Sequence, residues 1–100
     1  NLVGASTVDQ CEVDDAAVAS GRFFADCATH CRAQAGELSR AIDAGVVDAG
    51  WIVGEIGEVL SGKVAGRLDP SEITMYKSLG HAAQDLVVAE AAWRLARPIV

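Results

Sequence analysis

The chain has 100 residues, of which 51% are apolar and 5% aromatic, a length that permits one compact core and excludes two. Its formal net charge of −6, with eight scattered Lys and Arg, disfavours nucleic acid, because phosphate-backbone binding needs clustered cations. A dinucleotide stays open, since backbone N–H groups and helix N-termini hold phosphates without a basic surface.

Leu2-Val3 reads as the end of a buried strand, closed by the small-residue loop Gly4-Ala5-Ser6-Thr7. Asp14-Asp15 then lead into a short helix over Ala16-Ala17-Val18-Ala19, with a carboxylate at the cap and Gly21 just past the end. Arg22 to Asp26 is a compact apolar run readable as a second strand, and Asp26 is expected to cap a helix beginning at Cys27. Cys27–Gln34 and Glu37–Ala44 follow a helical pattern with Gly36 and Gly45 as punctuation, and Ile52–Leu60 is expected to be a third helical piece. Lys63–Pro70 is a loop, Ile73–Tyr76 a short β-branched strand, and a helix of about twenty residues is expected after Lys77-Ser78, stopped by Pro98.

That last helix is apolar on more than one face, so it is expected to pack against two bodies. Strands alternating with helices predict an α/β layer with parallel pairing, covered on both faces, which three short strands cannot complete alone. The chain also opens inside an apolar run with no initiator methionine, as a segment of something longer would. Cys11, Cys27 and Cys31 are odd in number and follow no secretory signal, which points to a reducing, cytoplasmic setting rather than a disulfide framework. No run of eighteen uncharged apolar residues occurs, so no membrane span is expected.

The stretch from Gly54 to Lys63, then Ile73-Thr74-Met75-Tyr76-Lys77-Ser78-Leu79-Gly80 and Ala83-Gln84-Asp85, resembles the C-terminal signature of the ornithine cyclodeaminase/mu-crystallin family in order and spacing. Asn1 to Ser6 with Glu12-Val13-Asp14-Asp15 resembles that family's loop after a late Rossmann strand, and Arg22 to Asp26 its next strand. The resemblance implies that residues 1–78 form the distal part of a doubly wound, Rossmann-like NAD(P)-binding domain. Residues 79–100 would form the long helix that returns to an N-terminal substrate and dimerisation domain, absent here like the Gly-rich phosphate loop. The implied parent is a homodimer that binds NAD or NADP and a small amino or cyclic imino acid, and exchanges hydride at a carbon bearing nitrogen. Ketimine reduction is the activity implied first. Ornithine cyclodeamination, alanine dehydrogenation and non-catalytic binding of a cofactor or hormone, as in mu-crystallin, are the alternatives, and the isolated 100 residues are expected to be inactive.

By the same resemblance Val3, Gly4, Ser6, Ser78 and Gly80 lie on the cofactor side. Ser6 stands where cyclodeaminases carry an acidic proton donor, and a serine hydroxyl cannot replace a carboxylate of shifted pKa, which favours imine reduction. Ser78 also reads as a plain helix cap, Lys77 as a surface residue, and His81 as a surface or capping histidine. Glu55 and Glu58, spaced i, i+3, are expected on one solvated helix face. Gln34 stands where many relatives have an acid, which bears on substrate identity. Cys27, His30 and Cys31 share a helical face with ligand-type spacing, and Cys11 is a conceivable fourth ligand, but small buried cysteines and an exposed histidine are the reading favoured here. The chain itself offers no catalytic residue by sequence, and no metal is expected.

Overall fold

A computed structural model describes residues 7–96; the expected strand at Leu2-Val3, the loop residues Gly4 and Ser6 and the stop at Pro98 lie outside them. Within the described residues the order is α1 (Asp15–Ala19), β1 (Arg22–Ala25), α2 (Ala28–Gln34), α3 (Gly36–Asp43), β2 (Ile52–Glu55), α4 (Ile56–Leu60), β3 (Thr74–Lys77) and α5 (Ala82–Ala96). Asp14 caps α1 by accepting the Ala17 N–H at 2.9 Å, as an aspartate in extended backbone ahead of a helix should. At the other end both the N–H and the hydroxyl of Ser20 return to the Ala17 carbonyl.

The break between α2 and α3 falls on Ala35, in extended backbone, and Gly36 is the first residue of α3 rather than a stop. A Cβ on Gly36 would collide with the carbonyl oxygens of Val8 and Gln10, so this glycine serves close backbone approach. The helix expected over Ile52–Leu60 divides in two, with Ile52–Glu55 forming a strand and only Ile56–Leu60 a helix. Ile52 and Gly54 are buried while Val53 and Glu55 are half-buried, the period-2 alternation of a paired strand. Nine residues cannot separate that period from a helical one before the partner strand is known. The Glu58 carboxylate accepts the Glu55 N–H at 3.0 Å and so starts the helix at Ile56.

The three strands form a parallel sheet in the order β2-β1-β3. In register with β1, Phe23 faces Met75 and Ala25 faces Lys77, while Phe24 faces Tyr76. Strand alternation therefore sends Phe23 and Ala25 into the core, where Val18, Cys31, Ala35, Leu38, Ala41, Val47 and Ile52 meet them. Phe24 and Tyr76 face the other way, onto a cavity of about 250 Å³ closed by Ile56 and Val59 of α4 and by Gly66 and Arg67 of the following loop. That loop is stitched to the sheet by Arg22, which pairs with Glu72 at 2.9 Å and donates to the Ala65 carbonyl, and by Arg67, which bonds the Glu72 carbonyl and the Thr74 hydroxyl. The second face is thus covered only in part: Phe24 is buried, whereas Tyr76 stays half-exposed beside the cavity.

The third strand runs one residue later than expected and ends on Lys77. Lys77 is fully buried, which corrects its reading as a surface residue: its ammonium lies 2.8 Å from Glu37 and 3.0 Å from Glu12. Glu37 in turn accepts the Glu12 N–H at 3.1 Å, so strand β3, helix α3 and the segment before α1 meet at one point. Burial alone would depress the lysine's pKa, but the two carboxylates outweigh it and hold the value above the ordinary 10.5.

Helix α5 starts four residues after Ser78, because Gly80 turns the chain at φ 94° and the His81 Nδ1 accepts the Ala83 N–H at 3.1 Å. Ser78 is therefore not the cap; His81 is. No residue of α5 is buried, and Leu86, Trp93 and Leu95 are 71%, 64% and 78% exposed.

Removing one partner of a buried charge cluster leaves the other unanswered, so Glu37→Leu should lower stability by about 3 kcal/mol in urea unfolding, and the double change Glu37→Leu with Lys77→Met should recover most of that loss. Because folding raises the pKa of Lys77, the stability linked to that group's charge is fully present below pH 10.5 and is lost as the pH climbs through the higher folded value. Burial, reinforced by the Asp26 and Glu37 charges, pushes the Cys31 thiol up to about 12. At pH 8 the native protein should therefore resist alkylation at Cys31 until denaturant is added, as peptide mass spectrometry would read.

Candidate functional site

In open α/β sheets the carboxyl ends of the strands border the ligand crevice. Here those ends carry Asp26 after β1, Glu55 closing β2, and Lys77-Ser78 closing β3. The sequence suggests Asp26 as the cap of the next helix, but it does something else. One carboxylate oxygen accepts the adjacent Cys27 N–H at 2.8 Å, and the other accepts both the Leu79 and Gly80 N–H groups at 3.0 Å. The start of α2 is served instead by Glu55, which reaches across from β2 to accept the Ala28 N–H at 2.7 Å. Glu55 and Glu58 are consequently not a pair on one solvated helix face; each is committed to backbone N–H groups at an element boundary.

These bonds hold the short connection between β3 and α5 at both ends. Lys77 is fixed by Glu12 and Glu37, and Leu79 and Gly80 by Asp26. Ser78 lies between the two anchors, half-buried, its hydroxyl without a hydrogen-bond partner among the described residues. Space beside Gly80 is open, with no heavy atom within 4 Å of where a Cβ would sit. The arrangement presents a neutral hydroxyl able to donate and accept, on a backbone that cannot easily shift.

Of the residues singled out by sequence, Ser78 and Gly80 thus share one small, anchored stretch, whereas Val3, Gly4 and Ser6 lie outside the described residues. Gln34 is exposed at the end of α2. The Cys27, His30 and Cys31 set does not converge: Cys31 is buried in the core, His30 is exposed, and its ring stacks on that of His81 at 6.5 Å between centroids. Among the described residues no group of three His, Cys, Asp or Glu is placed to hold a metal ion. Asp26, Glu12 and Glu37 are the residues sequence reasoning missed. A charged residue closing an apolar strand was the available signal, because an aspartate or lysine there needs a partner from outside its own element.

Residues 1–95 match the ornithine cyclodeaminase/mu-crystallin family. The chain is 36% identical over 90 residues to the Arabidopsis thaliana protein SAR DEFICIENT 4, covering 90% of this chain and 27% of that protein. It is 38% identical over 95 residues to the iminosuccinate reductase of Paracoccus denitrificans, covering 95% and 29%. Among solved structures, the Thermococcus litoralis Δ1-pyrroline-2-carboxylate reductase in complex with NADH and L-proline superposes with a TM-score of 0.84 at 30% identity, over 96% of this chain and 30% of that one. The chain spans about three tenths of the length of these relatives. A match over nearly every residue, carried by the same α/β arrangement, makes this chain a member of the ornithine cyclodeaminase/mu-crystallin family.

Proposed function

We propose that the chain is the nicotinamide-facing part of a reductase that acts on C=N bonds of small imino acids, with NADH or NADPH as the hydride source. The observation that carries this reading is the close superposition on a pyrroline-2-carboxylate reductase that holds NADH and proline. The carboxyl edge fits the uncharged end of such a cofactor. Its basic residue, Lys77, is consumed by two carboxylates, so the edge suits a carboxamide better than a pyrophosphate. Ser78 would hydrogen-bond the carboxamide, and Gly80 leaves room beside it.

The bound nicotinamide supplies the hydride; the residues described here orient it. Val3, Gly4 and Ser6 belong to the same site in this reading. Glu12, six residues after Ser6, bonds Lys77 next to Ser78, which brings the continuation of that loop to the same edge. Serine rather than an acid at position 6 favours imine reduction over cyclodeamination. The carboxylate clamp for substrate and the phosphate loop are assigned to the rest of the full-length protein. That protein is read as a cytoplasmic homodimer, and the exposed apolar faces of α5 support the pairing.

The test is to supply the full-length protein with Δ1-pyrroline-2-carboxylate or iminosuccinate, each with NADH and with NADPH, and to follow nicotinamide absorbance. Oxidation of the cofactor by at least one imine, with no proline formed from ornithine, is expected. Tight cofactor binding without turnover on any imine would sink the reductase reading and leave a binding protein.

A further inference from the structure

The connection from β3 to α5, Ser78 to His81, is short and irregular, and two of its consecutive amides converge on one oxygen of Asp26. A carboxylate at the end of β1 has a nearer use, since the N–H groups of α2 begin two residues on. That use has been taken over by Glu55 from the neighbouring strand. With Glu55 satisfying α2, Asp26 is free to reach across to the next strand's exit. Its first oxygen, tied to the Cys27 N–H, orients the carboxylate so that the second points at Leu79 and Gly80. Two hydrogen bonds from consecutive amides to one carboxylate oxygen restrain both residues at once. They hold Gly80 at a positive φ and thereby set the direction in which Ser78 leaves the sheet.

We infer that Asp26 is a positioning residue for the nicotinamide cofactor: by clamping the Leu79 and Gly80 amides it holds the Ser78 hydroxyl where the carboxamide is bound. This rests on the cofactor reading above and adds to it a residue that never touches the ligand. Losing the clamp and losing the hydroxyl then remove the same contact, so their effects are not independent.

The experiment is a double-mutant cycle in the full-length protein, read by fluorescence titration with NADH, or with NADPH if that is the form bound. Asp26→Ala and Ser78→Ala should each weaken binding roughly tenfold, the loss of one ordinary hydrogen bond, and the double variant should be no weaker than the worse single one. Asp26→Asn, which keeps one oxygen for the two amides, should stay within about threefold of the parent and carries the cycle if the alanine variant does not fold. As a stability control, Ala41→Gly loosens α3 in the core and should leave the affinity unchanged. Losses that multiply in the double variant, or an Asp26→Ala protein with parental affinity, would overturn the positioning role. Should the parent bind neither dinucleotide, the cofactor reading itself fails, an outcome distinct from a parent that binds and an Asp26 variant that binds equally well.

Discussion

An ammonium group with no access to water must have its charge answered from inside the fold, and for Lys77 the answer comes from Glu37 and Glu12. The three residues belong to three parts of the chain: the last strand, the third helix and the segment ahead of the first helix. Each is tied to the other two at the point where β3 ends. The cluster therefore sets the depth to which β3 enters the sheet, and with it the place at which the chain emerges at the carboxyl edge. Such an arrangement is weak evidence for stability, because desolvating three charges is costly, but it specifies one register where apolar packing would tolerate several.

Much of the negative charge that the composition displays is spent in this internal way. Glu12 and Glu37 answer Lys77, Glu72 answers Arg22, and Asp26, Glu55 and Glu58 each accept backbone N–H groups at the ends of strands or helices. A formal charge of −6 thus overstates how acidic the carboxyl edge is toward a ligand. What the edge presents is a hydroxyl and bare backbone, the kind of surface on which a neutral amide of a charged molecule can settle while the phosphates are held elsewhere.

The parts of the fold legible in the sequence are those decided locally. Asp14 before an alanine-rich run, Gly21 after it, the apolar block at Phe23-Phe24 and the β-branched run before Lys77 each carry their own signal, and each became the expected element. Ile52–Leu60 did not, because a strand of four residues followed at once by a helix of five contains too few positions to reveal its period, and pairing with β1 decides it. The candidate site was half legible. Ser78 and Gly80 followed from their place at a strand exit, but the acids that fix this stretch come from elsewhere in the chain, Asp26 from 53 and 54 residues away and Glu12 from 65, or are assigned to nearer tasks. Lys77 was misjudged for the same reason: nothing within its own strand reveals that two glutamates wait for it.

Helix α5 has fifteen residues and keeps none of its side chains from water. A helix of that length standing by itself is marginal in water even with good formers, because its first turn is expensive to nucleate and only burial repays the cost. Among the described residues its amides would then be early to trade hydrogen for deuterium, while those of β1 would be late. Ordering this helix and covering Leu86, Trp93 and Leu95 become a single event, in which the energy of contact is also the energy of folding.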